Sequence, residues 1–294
     1  VTLSSIASEL YNQRPSSVLY HYTSLGGLSG IVSSQSIWAT EIRYFNDAAE
    51  LRHTSDILSA EIGQRLAESG KNHTVLKQFR EWLRERLTFG HMLFVVSFTA
   101  NGNLLSQWRS YCSPGKGISA GFKPEHLCQC ASEQAYSVVK CIYDNDRKKG
   151  LATRIVNAVE TLAQERGENL DPSKRHPSQS FHGVFEEIES DLLRVAAVLK
   201  HSSFREEEEW RVVSPLVTKY VGASIRFREG KTALVPYKDF SLQRKVDGVF
   251  QLEHAYLGPT PDINLSMHSL TMHLSDSGVS PKSGLTYCQI PYRG

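Results

Sequence analysis

Leu19-Tyr20-His21-Tyr22-Thr23-Ser24 leads without a break into Leu25-Gly26-Gly27-Leu28-Ser29-Gly30-Ile31, and Ile37-Trp38-Ala39-Thr40 follows. The run from Val18 to Thr23 is apolar and aromatic and reads as a strand. Ser24 opens a helix with Leu25, Leu28, Ile31 and Val32 on one face. Gly26, Gly27 and Gly30 weaken that helix but let another backbone come close. Ile37 to Thr40 is a short strand. A strand that ends in His-Tyr-Thr, beside the free N–H groups of a helix start, makes a natural site for an anion or a ribose. The plainer alternative is a structural His21, with Thr23 or Ser24 serving only as a helix cap.

Working outward, the residues up to about Arg14 form a short helix before a Pro-Ser-Ser break. Leu51, Leu58, Ile62 and Leu66 make one helical stripe, and Leu76, Phe79, Leu83 and Leu87 another, with a turn at Ser69-Gly70-Lys71-Asn72. Met92 to Phe98, Ile118 to Phe122 and Tyr136 to Tyr143 are strands. Helices then run from about Asp146 to Arg166 and from about Ser178 to Lys200. Short strands dominate the last third: Trp210 to Val213, Ser224 to Arg228, Thr232 to Pro236, Val249 to Leu257 and Leu285 to Ile290, with a helix after Pro261. Strict βα alternation is absent and no GxGxxG follows a strand, which argues against a doubly wound dinucleotide fold. The expected class is α+β with split mixed sheets. The expected organisation is a single domain over 1–294 with a helical insertion at about 144–200.

The 294 residues carry 33 Lys and Arg against 31 Asp and Glu, so no global charge demands a nucleic acid or a membrane. Forty per cent hydrophobic residues exclude disorder by composition. No apolar run reaches the roughly 18 residues a membrane helix needs. The first residues lack the basic and apolar regions of a signal peptide, and the expected location is the cytoplasm. The five cysteines are an odd number, which fits reduced thiols better than a disulfide framework. Cys128, Cys130 and Cys141 have no second Cys or His pair at zinc spacing, and no metal site is expected.

Three further segments carry candidate chemistry. Asn46-Asp47, after Tyr44-Phe45, either caps the next helix or places Asn46 or Asp47 at the mouth of a pocket. Ser97 ends a strand, and Trp108, Arg109 and Tyr111 follow within Ser106-Gln107-Trp108-Arg109-Ser110-Tyr111. Trp108 or Tyr111 could stack on a ligand ring and Arg109 could bind a pyrophosphate, against the alternative of core aromatics and a surface Arg. Finally, Glu206-Glu207-Glu208-Glu209 runs into Trp210-Arg211-Val212-Val213. As a strand, this puts Glu207, Glu209 and Arg211 on one face and Trp210 and Val212 on the core face. A merely solvated acidic face is the other reading.

The segment around His21 resembles the first NAD⁺-binding motif of ADP-ribosyltransferases of the diphtheria-toxin and poly-ADP-ribose-polymerase branch, with Tyr22 where that branch carries Gly. LYHYTSLGGLSGI, RYFNDAAE, SFTANGNLLSQWRSY, KGISAGF, FREEEEWRVV and the terminal IPYR together resemble a widespread bacterial family of unknown function, some members of which are associated with phage defence. The resemblance implies an ADP-ribosyltransferase-like fold and NAD⁺ as co-substrate. It implies Glu209 as the catalytic residue, Glu207 as its helper, and His21 on the adenine-side ribose. Tyr22, Thr23, Asn46, Ser97, Trp108, Arg109 and Tyr111 are the remaining candidate NAD⁺ contacts, with Ser97 supporting the glutamate.

The expected activity is mono-ADP-ribosyl transfer to a protein or nucleic acid, as a toxin or defence effector. An NAD⁺ glycohydrolase uses the same site with water as acceptor. A non-catalytic nucleotide or nucleic-acid module would use the basic residues at 147–149, 174–175 and 226–231. A nuclease-like use of His21, Arg109 and Glu209 is the last alternative. The sequence sets neither the acceptor nor the oligomeric state.

Overall fold

A computed structural model describes residues 1–45, 49–68, 73–112, 117–167 and 176–289. In chain order the elements are α1 Leu3–Tyr11, β1 Leu19–Ser24, α2 Leu25–Ser34, β2 Ser36–Glu41, α3 Ala49–Ala67, α4 His73–Phe89, β3 Phe94–Thr99, α5 Leu105–Tyr111, β4 Gly117–Phe122 and α6 Pro124–Glu133. They continue with β5 Ser137–Lys140, α7 Asn145–Arg166, α8 His182–Ala196, β6 Glu209–Val213, β7 Arg226–Glu229, β8 Leu234–Ser241, β9 His254–Leu257, α9 Ile263–Asp276 and β10 Leu285–Tyr287. The architecture is mixed α+β around one open sheet, antiparallel except for the β9–β10 pair.

Residues next to each other on a strand face opposite ways, and the core divides accordingly. Phe94, Val96 and Phe98 of β3 join Leu19, Ile118, Phe122 and Val212 in a core covered by α2, α6 and α9 through Leu28, Leu127 and Leu270. Val95 faces the other way, with Val139 and Val213, into a layer built from α1, α3, α4, α7 and α8. The helices of the 144–200 segment share that core with α1, α3 and α4, through Ile155, Phe185, Leu10, Leu58 and Phe79 among others.

What positions the site is a divergence at β3. Along one edge β3 pairs continuously with β6, from Val95↔Val213 to Thr99↔Glu209. Along the other edge it pairs with β2 only at Phe94 and Val95, and with β1 only at Thr99. Between those points β1 and β2 part company. α2 bridges them, and its start is fixed by the Ser24 hydroxyl accepting from the Gly27 N–H at 3.0 Å. One wing of the sheet is then β1-β4-β9-β10 and the other β2-β8-β7.

Two helices were not anticipated. α5 is a short helix between β3 and β4. α6 begins at Pro124, whose fixed φ suits the first turn of a helix. On α6, Cys128 and Cys130 are two residues apart and so look in different directions; only Cys130 is buried. Among the described residues no group of three His, Cys, Asp or Glu side chains is placed to hold a metal. The strand expected over Val249 to Leu257 is only His254–Leu257, because its partner β4 stops where Pro124 opens α6. The turn expected at Ser69-Gly70-Lys71-Asn72 lies outside the described residues.

Candidate functional site

His21 sits on β1 opposite Ala120 of β4. Its ring turns into the gap left by the departing strands, where Nδ1 lies 3.0 Å from the Ser97 carbonyl oxygen and the ring tilts on Phe98 at 5.8 Å. A carbonyl only accepts, so Nδ1 carries the proton and Nε2 is the acceptor of the neutral ring. Burial pushes the His21 pKa down, and the Ser97 bond opposes that shift without cancelling it. The ring is therefore neutral at pH 7. It also satisfies a strand carbonyl at the point where the sheet divides.

Glu207 and Glu209 are held differently from the expected strand. Glu207 ends a 3₁₀ helix, Ser202–Glu207, and Glu208 takes a left-handed φ of 42°. The strand begins only at Glu209, so the two carboxylates are not aligned by simple alternation. They meet instead on a lysine. Lys200 Nζ donates to Glu207 Oε2 at 2.5 Å and to Glu209 Oε2 at 2.6 Å. Arg211 grips Glu209 in a fork, Nε to Oε1 at 2.8 Å and Nη2 to Oε2 at 3.1 Å, while its Nη1 donates to the Ala197 carbonyl at 2.6 Å. Thr99 hydroxyl donates to the Glu207 carbonyl, and the Glu209 N–H donates to Tyr143 Oη at 2.9 Å.

All four charged side chains of this cluster are buried. Within this group two cations face two carboxylates, and paired charge is the form in which burial is tolerable. Burial alone would raise the Glu209 carboxyl, but the Arg211 and Lys200 charges outweigh it and hold it down to about 2. Glu209 is thus ionised at any physiological pH. Three N–H donors occupy three of the roughly four acceptor directions of its carboxylate, which leaves one on Oε1.

A cavity of about 990 Å³ opens from this point. It runs through the divergence, so His21 reaches it from one face of the sheet and Glu209 and Arg211 from the other. Tyr22, Thr23, Ser97 and Tyr111 also line it. Ser97 stands across from Arg211 in the β3–β6 ladder, and among the described residues its hydroxyl makes no bond to the glutamate. The far wall is one face of β2, β8 and β7. There Trp38 is half exposed and lies on Tyr237, ring centroids 4.6 Å apart. Arg226 pairs with Asp239 at 2.8 Å. Arg228, 5.8 Å over the Trp38 ring, makes one 3.4 Å contact to Thr40 Oγ1 and has no carboxylate partner among the described residues.

Not every expected residue arrives here. Trp108 is buried under Tyr22, edge-on at 4.6 Å, with its indole N–H donating to Asn103 Oδ1 at 2.9 Å. It does not line the cavity, and neither does Arg109, which is exposed. The Tyr22 hydroxyl is spent on the loop before α5, donating to the Asn101 carbonyl at 3.0 Å and accepting from the Leu104 N–H at 2.7 Å. Asn46, Asp47 and the whole IPYR motif lie outside the described residues. Lys200 and Trp38 were not expected as site residues, and Arg228 only as one of the basic residues at 226–231. Local pattern carries only a faint signal for them: a lysine closing a helical stripe and an arginine in a basic stretch.

With the geometry established, the relationships of the chain can be placed on it. A domain of the family described as Protein of unknown function (DUF2971) is found at residues 107–212. The match starts at Gln107 on α5 and ends at Val212 on β6. It contains Tyr111, Lys200, Glu207, Glu209 and Arg211, but not His21 or Arg228. No curated protein and no solved structure matches the chain. No described helix is long and apolar enough to cross a membrane.

Proposed function

We propose that the chain cleaves the nicotinamide–ribose bond of NAD⁺ and transfers ADP-ribose to a protein or nucleic-acid acceptor. The observation that carries this reading is the meeting of His21, Ser97, Tyr111 and an ionised Glu209, from four separate elements, on one large cavity at the divergence of β1 and β2. The resemblance of the His21 segment and of the Glu207–Glu209 spacing to ADP-ribosyltransferases supports the same reading.

The chemistry follows from charge. When the glycosidic bond breaks, the bonding pair leaves with nicotinamide, which becomes neutral, and positive charge builds on the ribose. A fixed anion at that carbon stabilises the charged state more than the ground state. Glu209 is such an anion, and Lys200 and Arg211 keep it rigid and deprotonated. Its remaining Oε1 direction accepts from a ribose hydroxyl, and His21 Nε2 accepts from another. Arg228 takes the diphosphate and Trp38 offers a face to adenine. The acceptor then forms the new bond to the anomeric carbon and releases a proton.

The test is nicotinamide release from NAD⁺ by the purified protein, with and without bacterial lysate as a source of acceptors. Release that depends on lysate is expected; release without it would move the reading to a glycohydrolase, and none under either condition would overturn both. Glu209→Gln should abolish release. Because it also leaves two buried cations short of charge, Ser97→Ala and His21→Gln accompany it, each checked for folding by circular dichroism. A folded Glu209→Gln protein with full turnover sinks the assignment of Glu209.

A further inference from the structure

α9 crosses between the parallel strands β9 and β10 and packs on the sheet face that carries Leu19, Ile118 and Leu257. It holds to that face by Leu270 and Leu274, four residues apart, with Met267 partly buried beside them. At about 3.6 residues per turn, Leu265 and Met272 fall on the opposite side and point away from the core. They are 66% and 53% exposed.

Single apolar side chains on a surface are ordinary. What sets this helix apart is the lack of charge around them. The exposed side of α4 carries Lys77, Glu81, Arg84 and Glu85. α9 has no Lys, Arg or Glu, and its one acid, Asp276, closes the last turn. His268 and Ser269 stand between Leu265 and Met272. Exposed Leu and Met with Lys and Glu depleted is the composition of an interface core rather than of a solvated face. The missing basic residues argue against a membrane surface, which an amphipathic helix meets with Lys or Arg on its polar side. The apolar surface continues at the sheet edge. Tyr287 shares the face of Leu285 and Leu257 and is exposed, and β10 is the last strand of its wing, with no strand beyond it among the described residues.

The spacing selects the partner. Copies related by a two-fold axis meet through one shared patch, each residue on its counterpart in both directions. With the axis between His268 and Ser269, antiparallel copies of α9 set Leu265 on Met272 of the partner subunit, and Met272 on the partner's Leu265. The small Ser269 at the centre lets the two helices approach. A face rich in one sign of charge would repel its own copy; this one does not, and Asp262 and Asp276 fall at the solvated ends of the pair. We propose that α9 is the contact face of a reversible homodimer, packed antiparallel through Leu265 and Met272. A contact about 21 Å long and one helix wide covers less than the roughly 1,200 Å² of a standard interface, so the expected dissociation constant is in the tens of micromolar. The proposal does not depend on the NAD⁺ reading.

The test is sedimentation equilibrium of the full chain from about 1 to about 300 µM, a range that brackets such an affinity. The mean mass of the wild type should rise from one chain toward two. Leu265→Glu with Met272→Glu sets like charges against each other across the axis and should weaken association at least about a hundredfold, leaving a single chain throughout. Leu265→Glu with Met272→Lys disturbs each chain's surface as much, but sets Glu on Lys twice in the pair. It should return the dimer to within about tenfold of the wild type. Both positions are exposed, so all three proteins should melt together at the lowest concentration. A wild type that stays a single chain to the top of the range overturns the proposal. So does a double-glutamate protein that still dimerises, which would put the interface elsewhere. A Glu-Lys protein that associates no better than the double-glutamate one overturns the antiparallel pairing.

Discussion

The two wings that leave β3 have strands of similar length, but one is plugged and the other is open. On the β1-β4 wing, Tyr22, Trp108, Cys112 and Cys288 fill the face that the site would otherwise occupy. Gly117 and Gly258 let the Trp108 ring lie almost on the backbone; a Cβ at either would stand 3.1 or 3.0 Å from it. On the β2-β8-β7 wing Trp38, Arg226 and Arg228 line the cavity instead. The same residue type therefore has opposite uses. One tryptophan is 3% exposed and packs between a wing and a helix; the other is 50% exposed on the cavity wall. One wing thus carries a packed aromatic cluster beside His21, and the other leaves an aromatic and two arginines on the cavity wall.

The sharpest way to break this comparison is a pair of truncations. Trp108→Ala should cost about 3–5 kcal/mol of stability, the range for emptying a buried aromatic site. Trp38→Ala should stay within about 1 kcal/mol, as for an exposed position. Urea unfolding of both variants decides the matter, and equal losses would mean that the open wing is as tightly built as the other.

Trp108 also marks where the sequence was legible and where it was not. The strands around His21, Val96 and Val212 and the stripes of α3, α4, α7 and α8 follow from periodicity, which is local and strong. Which aromatic is buried is not local: Trp108 and Tyr111 were the readable ring-stacking candidates, and only Tyr111 reaches the cavity. Glu207 and Glu209 do converge, but through Lys200 and the left-handed Glu208 rather than by strand alternation. No spacing rule predicts that a lysine seven residues earlier will join two carboxylates. Arg228 looks like any surface arginine until its neighbours show that it has no acid to pair with among the described residues. α6 is legible in Pro124 and the spacing of Leu127, Cys130 and Ala131, a helical stripe that its two cysteines partly mask.

Arg228 gives the next test of the open wing. Arg228→Gln removes a charge that makes no ion pair among the described residues, so the change in unfolding free energy should be within about 0.5 kcal/mol. Its loss should weaken ADP-ribose by about 1.5–3 kcal/mol, the scale of hydrogen bonds to a charged group. Arg226→Gln, whose partner Asp239 already neutralises it, should do less. Calorimetry with ADP-ribose separates the two, and an equal effect of both substitutions would argue for a diffuse positive surface rather than a seat at Arg228.

The smallest effect concerns the ring that joins the wings. The folded pKa of His21 lies below the ordinary 6.5, because burial disfavours the charged ring more than the Ser97 carbonyl favours it. The folded protein therefore keeps a proton off this ring when the unfolded chain would take one up. Stability from this group is fully present above pH 6.5 and is lost as the pH falls from there through the folded pKa. His21→Gln removes the titration. His53, His126 and His254 are lowered for the same reason, by burial, but they remain in both proteins and cancel. The wild type should thus lose more unfolding free energy than His21→Gln between pH 7.5 and 5.5, measured by urea titration at each pH. A difference between the two proteins that does not change with pH would mean that the ring in the fold protonates as freely as in the unfolded chain. In that case Nε2 would be a donor below neutrality rather than the acceptor that a ribose hydroxyl needs, and the role of His21 would have to pass to another group on the cavity wall.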